Sequence, residues 1–107
     1  MAKFDDRGDS DLYAGLIRLH VLHHAAERPI YGQWMIDELS RHGYRISAGT
    51  MYPLLHGLER KGYLRGRAAH DGLRRRRVYR LTPAGRRALA AAKGKVQELF
   101  GELFEDE

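Results

Sequence analysis

The sequence predicts a mainly α fold of the α+β kind, and three observations carry that expectation. Apolar residues recur at helical spacing in three successive segments between Leu12 and Leu58, and an alternating basic segment around Asp71-Gly72 reads as a β-hairpin. A Thr82-Pro83 pair then opens a last stretch with heptad spacing. At 107 residues the chain is one domain with room for a modest core, close to the size at which a second subunit often completes it.

Ser10 or Asp11 is placed to cap a first helix from Leu12, and Leu12, Leu16, Ile17, Leu19, Val21 and Leu22 occupy most of its circumference. Such a helix is expected to be buried. Pro29 disfavours helical backbone at Arg28 and ends it. A second helix is expected over Tyr31 to Arg41, with Tyr31, Met35 and Leu39 on one stripe and Gly43 just past its end. Trp34 lies beside that stripe and is read as a core anchor in preference to a wall of an effector pocket.

The third helix carries Met51, Leu54, Leu55 and Leu58 at i, i+3, i+4 and i+7, with Pro53, His56, Gly57 and Arg60 opposite. Proline has no amide donor, which is harmless only in the first turn, so this helix is expected to start near Gly49 or Thr50. Ser47 is a competing cap that would set Pro53 deeper in the helix and cost a hydrogen bond. Gly62 ends the helix, and the chain continues as strand, Asp71-Gly72 turn and strand, with Tyr79 and Leu81 inward and Arg80 outward. Arg74 to Arg77 stand at the hairpin tip, a run of charge that no core can use.

Thr82 is the expected N-cap and Pro83 the first residue of a helix running to about Phe104. Along it Gly85, Leu89, Ala92, Val96, Leu99 and Leu103 recur at alternating spacings of four and three, and Phe100 and Phe104 widen the seam. A heptad seam asks for a partner helix, so Leu89, Ala92, Val96, Leu99, Phe100 and Leu103 are the expected dimerisation residues. Gly94 and Gly101 each cost about 1 kcal/mol of helix propensity, which leaves packing to hold this helix.

The net charge of +5 is unevenly spread. Eleven Lys and Arg residues lie between Arg60 and Arg87 against the single acid Asp71, while Asp5, Asp6, Asp9 and Asp11 mark the start and Glu98, Glu102, Glu105, Asp106 and Glu107 the finish. A local anionic partner is implied. The absence of cysteine excludes disulfides, thiolate metal sites and a Cys nucleophile. No apolar run approaches the roughly 18 residues of a membrane span, and the first residues lack a signal-peptide core. The expectation is a cytoplasmic protein without a membrane partner.

Three helices followed by a two-stranded hairpin is the winged helix-turn-helix arrangement, in which the third helix enters the DNA major groove and the hairpin reaches the flanking backbone. On the third helix and its edges the expected contacts are Ser47, Gly49, Thr50, Tyr52, Pro53, His56, Arg60 and Lys61. Gly49, Thr50 and Gly57 permit close approach, and Tyr52, His56 and Arg60 reach phosphates or base edges. Arg74, Arg75, Arg76 and Arg77 of the wing supply the salt-dependent share of affinity. Residues 1–82 are thus expected to form the DNA-binding unit, with a flexible acidic stretch over 1–10, and residues 83–107 the dimerisation helix.

Three segments resemble the PadR-type transcriptional regulators. "PIYGQWMIDEL" is similar to that family's Tyr-Gly entry to the second helix, "SAGTMYPLLHGLERKGYL" to its recognition segment, and "DGLRRRRVYRLTPAG" to its wing and exit. The likeness covers about Leu12 to Gly85, and "GTMYPLLHGLE" is its most specific part. It implies a homodimer that binds double-stranded DNA at a palindromic operator, mostly as a repressor, and pairs through the C-terminal helix. Gln33 stands where members commonly carry an aromatic and Val78 where a second tyrosine is frequent. The last helix has no Trp of the kind some short members use to hold flat apolar drugs, so a small-molecule effector has no identity from the sequence.

Catalysis is not expected: the serines are Ser10, Ser40 and Ser47, none in a nucleophile-elbow setting, and no phosphate loop or His-Glu-x-x-His motif is present. No cofactor is implied. A nonspecific basic DNA- or RNA-binding module is the alternative reading of the patch and hairpin. A metal-sensing winged helix is the other, because His20, His23 and His24 share one helical face. Half-buried packing is the preferred reading of those three, with no metal site, while His42, His56 and His70 look solitary.

Overall fold

Two of the three prolines mark element boundaries and the third lies inside a helix, and together they frame the fold. The computed structural model describes residues 10–105; the acidic stretch expected over 1–10 lies outside them except for Ser10, as do the last two acids. The order is α1 (Ser10–Glu27), β1 (Ile30–Tyr31), α2 (Gly32–Arg41), α3 (Ala48–Arg60), β2 (Leu64–Asp71), β3 (Arg74–Leu81) and α4 (Pro83–Phe100), which runs on as a π-helical turn over Gly101–Glu105. None of the described helices is long and apolar enough to cross a membrane.

α1 buries Ile17, Val21, Leu22 and Ala25 and leaves Leu12 and Leu16 exposed, so the helix expected to be buried all round has two different faces. Pro29 follows its end, and Ile30 together with Tyr31, the latter expected as the start of the second helix, forms a short strand instead. They pair with Tyr79 and Val78 of β3, giving a three-stranded antiparallel sheet of order β1-β3-β2 rather than an isolated hairpin. Two residues carry no alternation that sequence could show, and only the register with β3 makes them a strand.

α2 and α3 both end with the same local device. Gly43 (φ 91°) donates to the Ser40 carbonyl and Tyr44 to that of Leu39; Gly62 (φ 82°) donates to Glu59 and Tyr63 to Leu58. These are Schellman closures, and glycine supplies the left-handed backbone they need. The hairpin turn is Gly72-Leu73 between paired Asp71 and Arg74, one residue later than expected, with positive φ at Gly72 alone as a II′ turn requires.

Thr82 accepts from the Gly85 amide at 2.9 Å, with Pro83 at the first helical position, as the sequence predicts. The start of α4 then docks tightly: a Cβ on Gly85 would collide with the Tyr63 carbonyl and lie 2.7 Å from Leu81 Cδ1. Leu89 joins the main core with Val21, Met35, Leu39, Met51, Leu55, Leu58, Leu64 and Tyr79. Beyond Leu89 the helix leaves that core. The chain's radius of gyration of 14.9 Å exceeds the roughly 13 Å of a compact domain of this size, and its extents of 55 × 33 × 20 Å reflect the elongation.

Candidate nucleic-acid interface

α3 is built around a buried stripe of Met51, Leu55 and Leu58, which turns Gly49, Tyr52, Pro53, His56 and Arg60 outward on a common face. Its start corrects the expectation. Ser47 is the N-cap, its Oγ accepting from the Thr50 amide at 3.3 Å, so the helix begins at Ala48 and Pro53 is its sixth residue. The capping hydrogen bond prevails over the loss at Pro53, where the Gly49 carbonyl has no i+4 amide to accept. Both positions are exposed, so water can satisfy that carbonyl. The Ser47 hydroxyl also donates to Thr50 Oγ1 at 3.3 Å, holding Thr50 half-buried at the helix entrance.

Tyr52, expected as a DNA contact, is 39% exposed and bridges α3 and α2. Its ring covers Gly32: a Cβ there would sit 2.7 Å from Tyr52 Cζ and 2.9 Å from Oη. Only glycine lets the first residue of α2 lie against that ring. Trp34 is half-buried against the core and takes the Arg28 guanidinium over its ring at 5.0 Å.

The four wing arginines are not equivalent. Arg74 and Arg75 are exposed. Arg76 is half-buried with its guanidinium 5.0 Å from the Tyr31 ring. Arg77 is tied back to α3: it donates to Glu59 Oε2 at 2.8 Å, and the same oxygen accepts from the Gly66 amide at 3.2 Å. The Arg77 side chain lies over Gly66, where a Cβ would come within 2.7 Å of Nε. The hydrogen bond to Glu59 raises its pKa further above an already high value, so its charge is permanent but locally neutralised. Burial likewise pushes the Tyr79 hydroxyl above its ordinary range beneath this pair.

The faces of these elements meet in a cleft of about 590 Å³ lined by Tyr31, Gly32, Gln33, Trp34, Asp37, Tyr52 and Arg74 to Arg77. The first turn of α2 opens into it with no side-chain cap from Tyr31 and no acid of its own. Helix-start amides, which have no intrahelical acceptor, and a row of guanidinium groups make a setting for phosphate oxygens. Arg60 and Lys61 are exposed at the far end of α3. Arg45, just before α3, and Arg65 and Arg67 on β2 are exposed as well and extend the basic surface. The two-residue alternation of Arg65 and Arg67 is a readable signal for the last pair; nothing local marks Arg45.

The expected dimerisation residues divide. Leu89 is buried in its own chain and Ala92 is half-buried, whereas Val96, Leu99, Phe100 and Leu103 are 43–56% exposed. Val96 and Phe100 face Leu16, Leu19, His20 and His23 of α1 across an open apolar groove. His20, His23 and His24 also part company: His24 is buried, His20 half-buried and His23 exposed. His42 is not solitary, since its ring centroid lies 4.8 Å from that of His20, brought there by the packing of α2 on α1. His56 and His70 are exposed.

Residues 21–91 match the sequence profile described as the transcriptional regulator PadR-like family. Among curated proteins, the transcriptional regulator Rv3488 of Mycobacterium tuberculosis is 52% identical over 88 residues, covering 82% of each chain. Among solved structures, a PadR family transcriptional regulator from Eggerthella lenta superposes with a TM-score of 0.77 at 33% identity, covering 91% of this chain and 88% of that one. A PadR-like transcriptional regulator from Bacillus cereus gives a TM-score of 0.75 at 25% identity, covering 92% and 100% respectively. With helices, winged sheet and profile in agreement, the chain belongs to the PadR-like family of winged-helix, DNA-binding transcriptional regulators.

Proposed function

We propose that the protein acts in the cytoplasm as a homodimeric repressor on a palindromic operator, with α3 in the major groove and the wing on the adjoining backbone. The observation that carries this reading is the convergence of Tyr52, the uncapped start of α2 and Arg74 to Arg77 on one cleft beside the exposed face of α3. Gly49, Pro53 and His56 present a low-relief surface for groove entry, and Arg60 and Lys61 stand where phosphates flank it. Repression then follows from occupancy, because a dimer seated across a promoter excludes polymerase.

The homodimer is supported by what α4 leaves open. Val96, Leu99 and Leu103 continue a heptad spacing past the point where the chain's own core ends, Phe100 and Phe104 widen it, and Leu12 and Leu16 of α1 extend the apolar surface. A second copy would cover both and set two recognition helices at the spacing that a palindrome requires.

The test is an anisotropy titration against the duplex upstream of the protein's own gene, with a scrambled duplex and a structured RNA as competitors, at two salt concentrations. A specific repressor should prefer the upstream duplex by about a hundredfold or more, within the usual range of specific over nonspecific binding. Equal affinity for all three would replace it with a nonspecific nucleic-acid binder.

A further inference from the structure

The strongest feature outside the DNA-facing surface is a cluster of imidazoles between α1 and the end of α2. His20, His24 and His42 each bring a ring nitrogen to within 4.8 Å of the other two. Glu38, one turn before His42, joins them: its Oε2 lies 3.2 Å from His42 Nε2 and 3.7 Å from His24 Nε2. α1 and α2 are consecutive, but His20 and His24 lie on one and Glu38 and His42 at the far end of the other, so packing, and not local spacing, assembles the group.

His24 gives the cluster its meaning. Its side chain is nine-tenths buried, and neither ring nitrogen has a hydrogen-bond partner among the described residues. The nearest carboxylates, of Glu27 at Nδ1 and Glu38 at Nε2, both stop at 3.7 Å. A buried imidazole without a partner is costly and asks for an explanation. Hydrophobic packing alone does not answer it, because a leucine would fill the space without that cost. Burial and then the neighbouring imidazoles push His20 below its ordinary pKa, and burial followed by His23 does the same to His24.

We propose that His20, His24 and His42, with Glu38 as fourth donor, form a binding site for a borderline divalent transition-metal cation of the zinc class. Three imidazoles and one carboxylate, with no thiolate in the chain, make an N3O set suited to zinc and its neighbours in the first row. Tetrahedral zinc with Zn–N near 2.0–2.1 Å separates its ligand atoms by about 3.3 Å. The Glu38–His42 separation of 3.2 Å already matches that spacing, and the three imidazole nitrogens, within 4.8 Å of one another, close on an ion by side-chain rotation. His23 and Glu27 form a rival group with His24, but two of its three members are exposed, against His42 alone among the three imidazoles of the chosen set. His20 also lines the groove between α1 and α4, so an occupied site would fix a side chain at the edge of the surface proposed for the second copy.

The experiment is calorimetric titration of tag-free, chelator-treated full-length protein with zinc chloride alone, repeated with cobalt chloride to record the visible absorption of the bound ion. The expected result is one ion per chain at micromolar affinity or tighter, with the absorption of a tetrahedral cobalt site. His20→Ala, His42→Ala and Glu38→Gln should each weaken binding by about tenfold or more, while His23→Ala and His70→Ala leave it unchanged. Substitution of the buried His24 risks the fold, so the test rests on the more accessible His20 and His42 and on Glu38. Absence of saturable binding up to about 100 μM zinc, affinity unmoved by His20→Ala and His42→Ala, or loss in His23→Ala would each overturn the assignment. The readout is binding by free protein, so its outcome is separate from that of the operator titration.

Discussion

α3 and α4 carry apolar stripes of similar spacing and use them in opposite ways. In α3 the stripe of Met51, Leu55 and Leu58 is buried within the chain, so its opposite face is left to solvent, where the DNA contact is proposed. In α4 only the first part of the stripe, Gly85 and Leu89, is buried; Val96, Leu99, Phe100 and Leu103 stay exposed. Periodicity specifies that a face needs covering, and its position relative to the core decides whether the same chain can supply the cover. α3 lies across the centre of the core, whereas α4 enters at Gly85 and runs out past Leu89.

The contrast breaks most severely at Leu55. Leu55→Ala should cost about 2–5 kcal/mol of stability in denaturant unfolding, because the residue is fully buried at the centre of the core. Leu99→Glu should leave the fold of the isolated chain intact by circular dichroism yet weaken self-association by about 1.5–3 kcal/mol or more, with operator binding lost alongside. A Leu99→Glu variant that unfolds like Leu55→Ala would place Leu99 inside the chain's own core and end the distinction.

On the surface proposed to meet DNA, Arg74→Ala with Arg75→Ala should weaken binding to every sequence and flatten the log–log salt dependence by about one unit for each phosphate left without its arginine. Arg77→Ala should change that slope less and stability more, because its charge is engaged with Glu59. The smallest effect is expected at Gly94, where a Cβ would meet nothing within 4 Å. Gly94→Ala should stabilise α4 by about 0.5–1 kcal/mol in thermal unfolding and leave DNA affinity unchanged.

Most of the fold is legible in the sequence because its signals are local. The Thr82-Pro83 start of α4, the glycines at the ends of α2 and α3, and the inward Tyr79 are decided within a few residues of themselves. Sequence misplaces the start of α3 because two local rules conflict there: a serine cap at Ser47 favours the longer helix, and Pro53 favours the shorter. What sequence does not show depends on distant partners. β1 exists only through its register with β3, the retention of Arg77 by Glu59 spans eighteen residues, and His42 meets His20 only once α2 is packed on α1. The charge of the wing is readable; its division into two exposed arginines, one stacked and one tethered, is not.

The most direct test of the division between α3 and α4 is the solution mass of the untagged protein by light scattering at low micromolar concentration. An α4 stripe that needs a second copy predicts twice the 12.3 kDa of one chain, falling to a single chain's mass in Leu99→Glu. A wild-type mass of 12.3 kDa, with Val96, Leu99, Phe100 and Leu103 left in water, would refute the dimer and with it the distinction between the two helices.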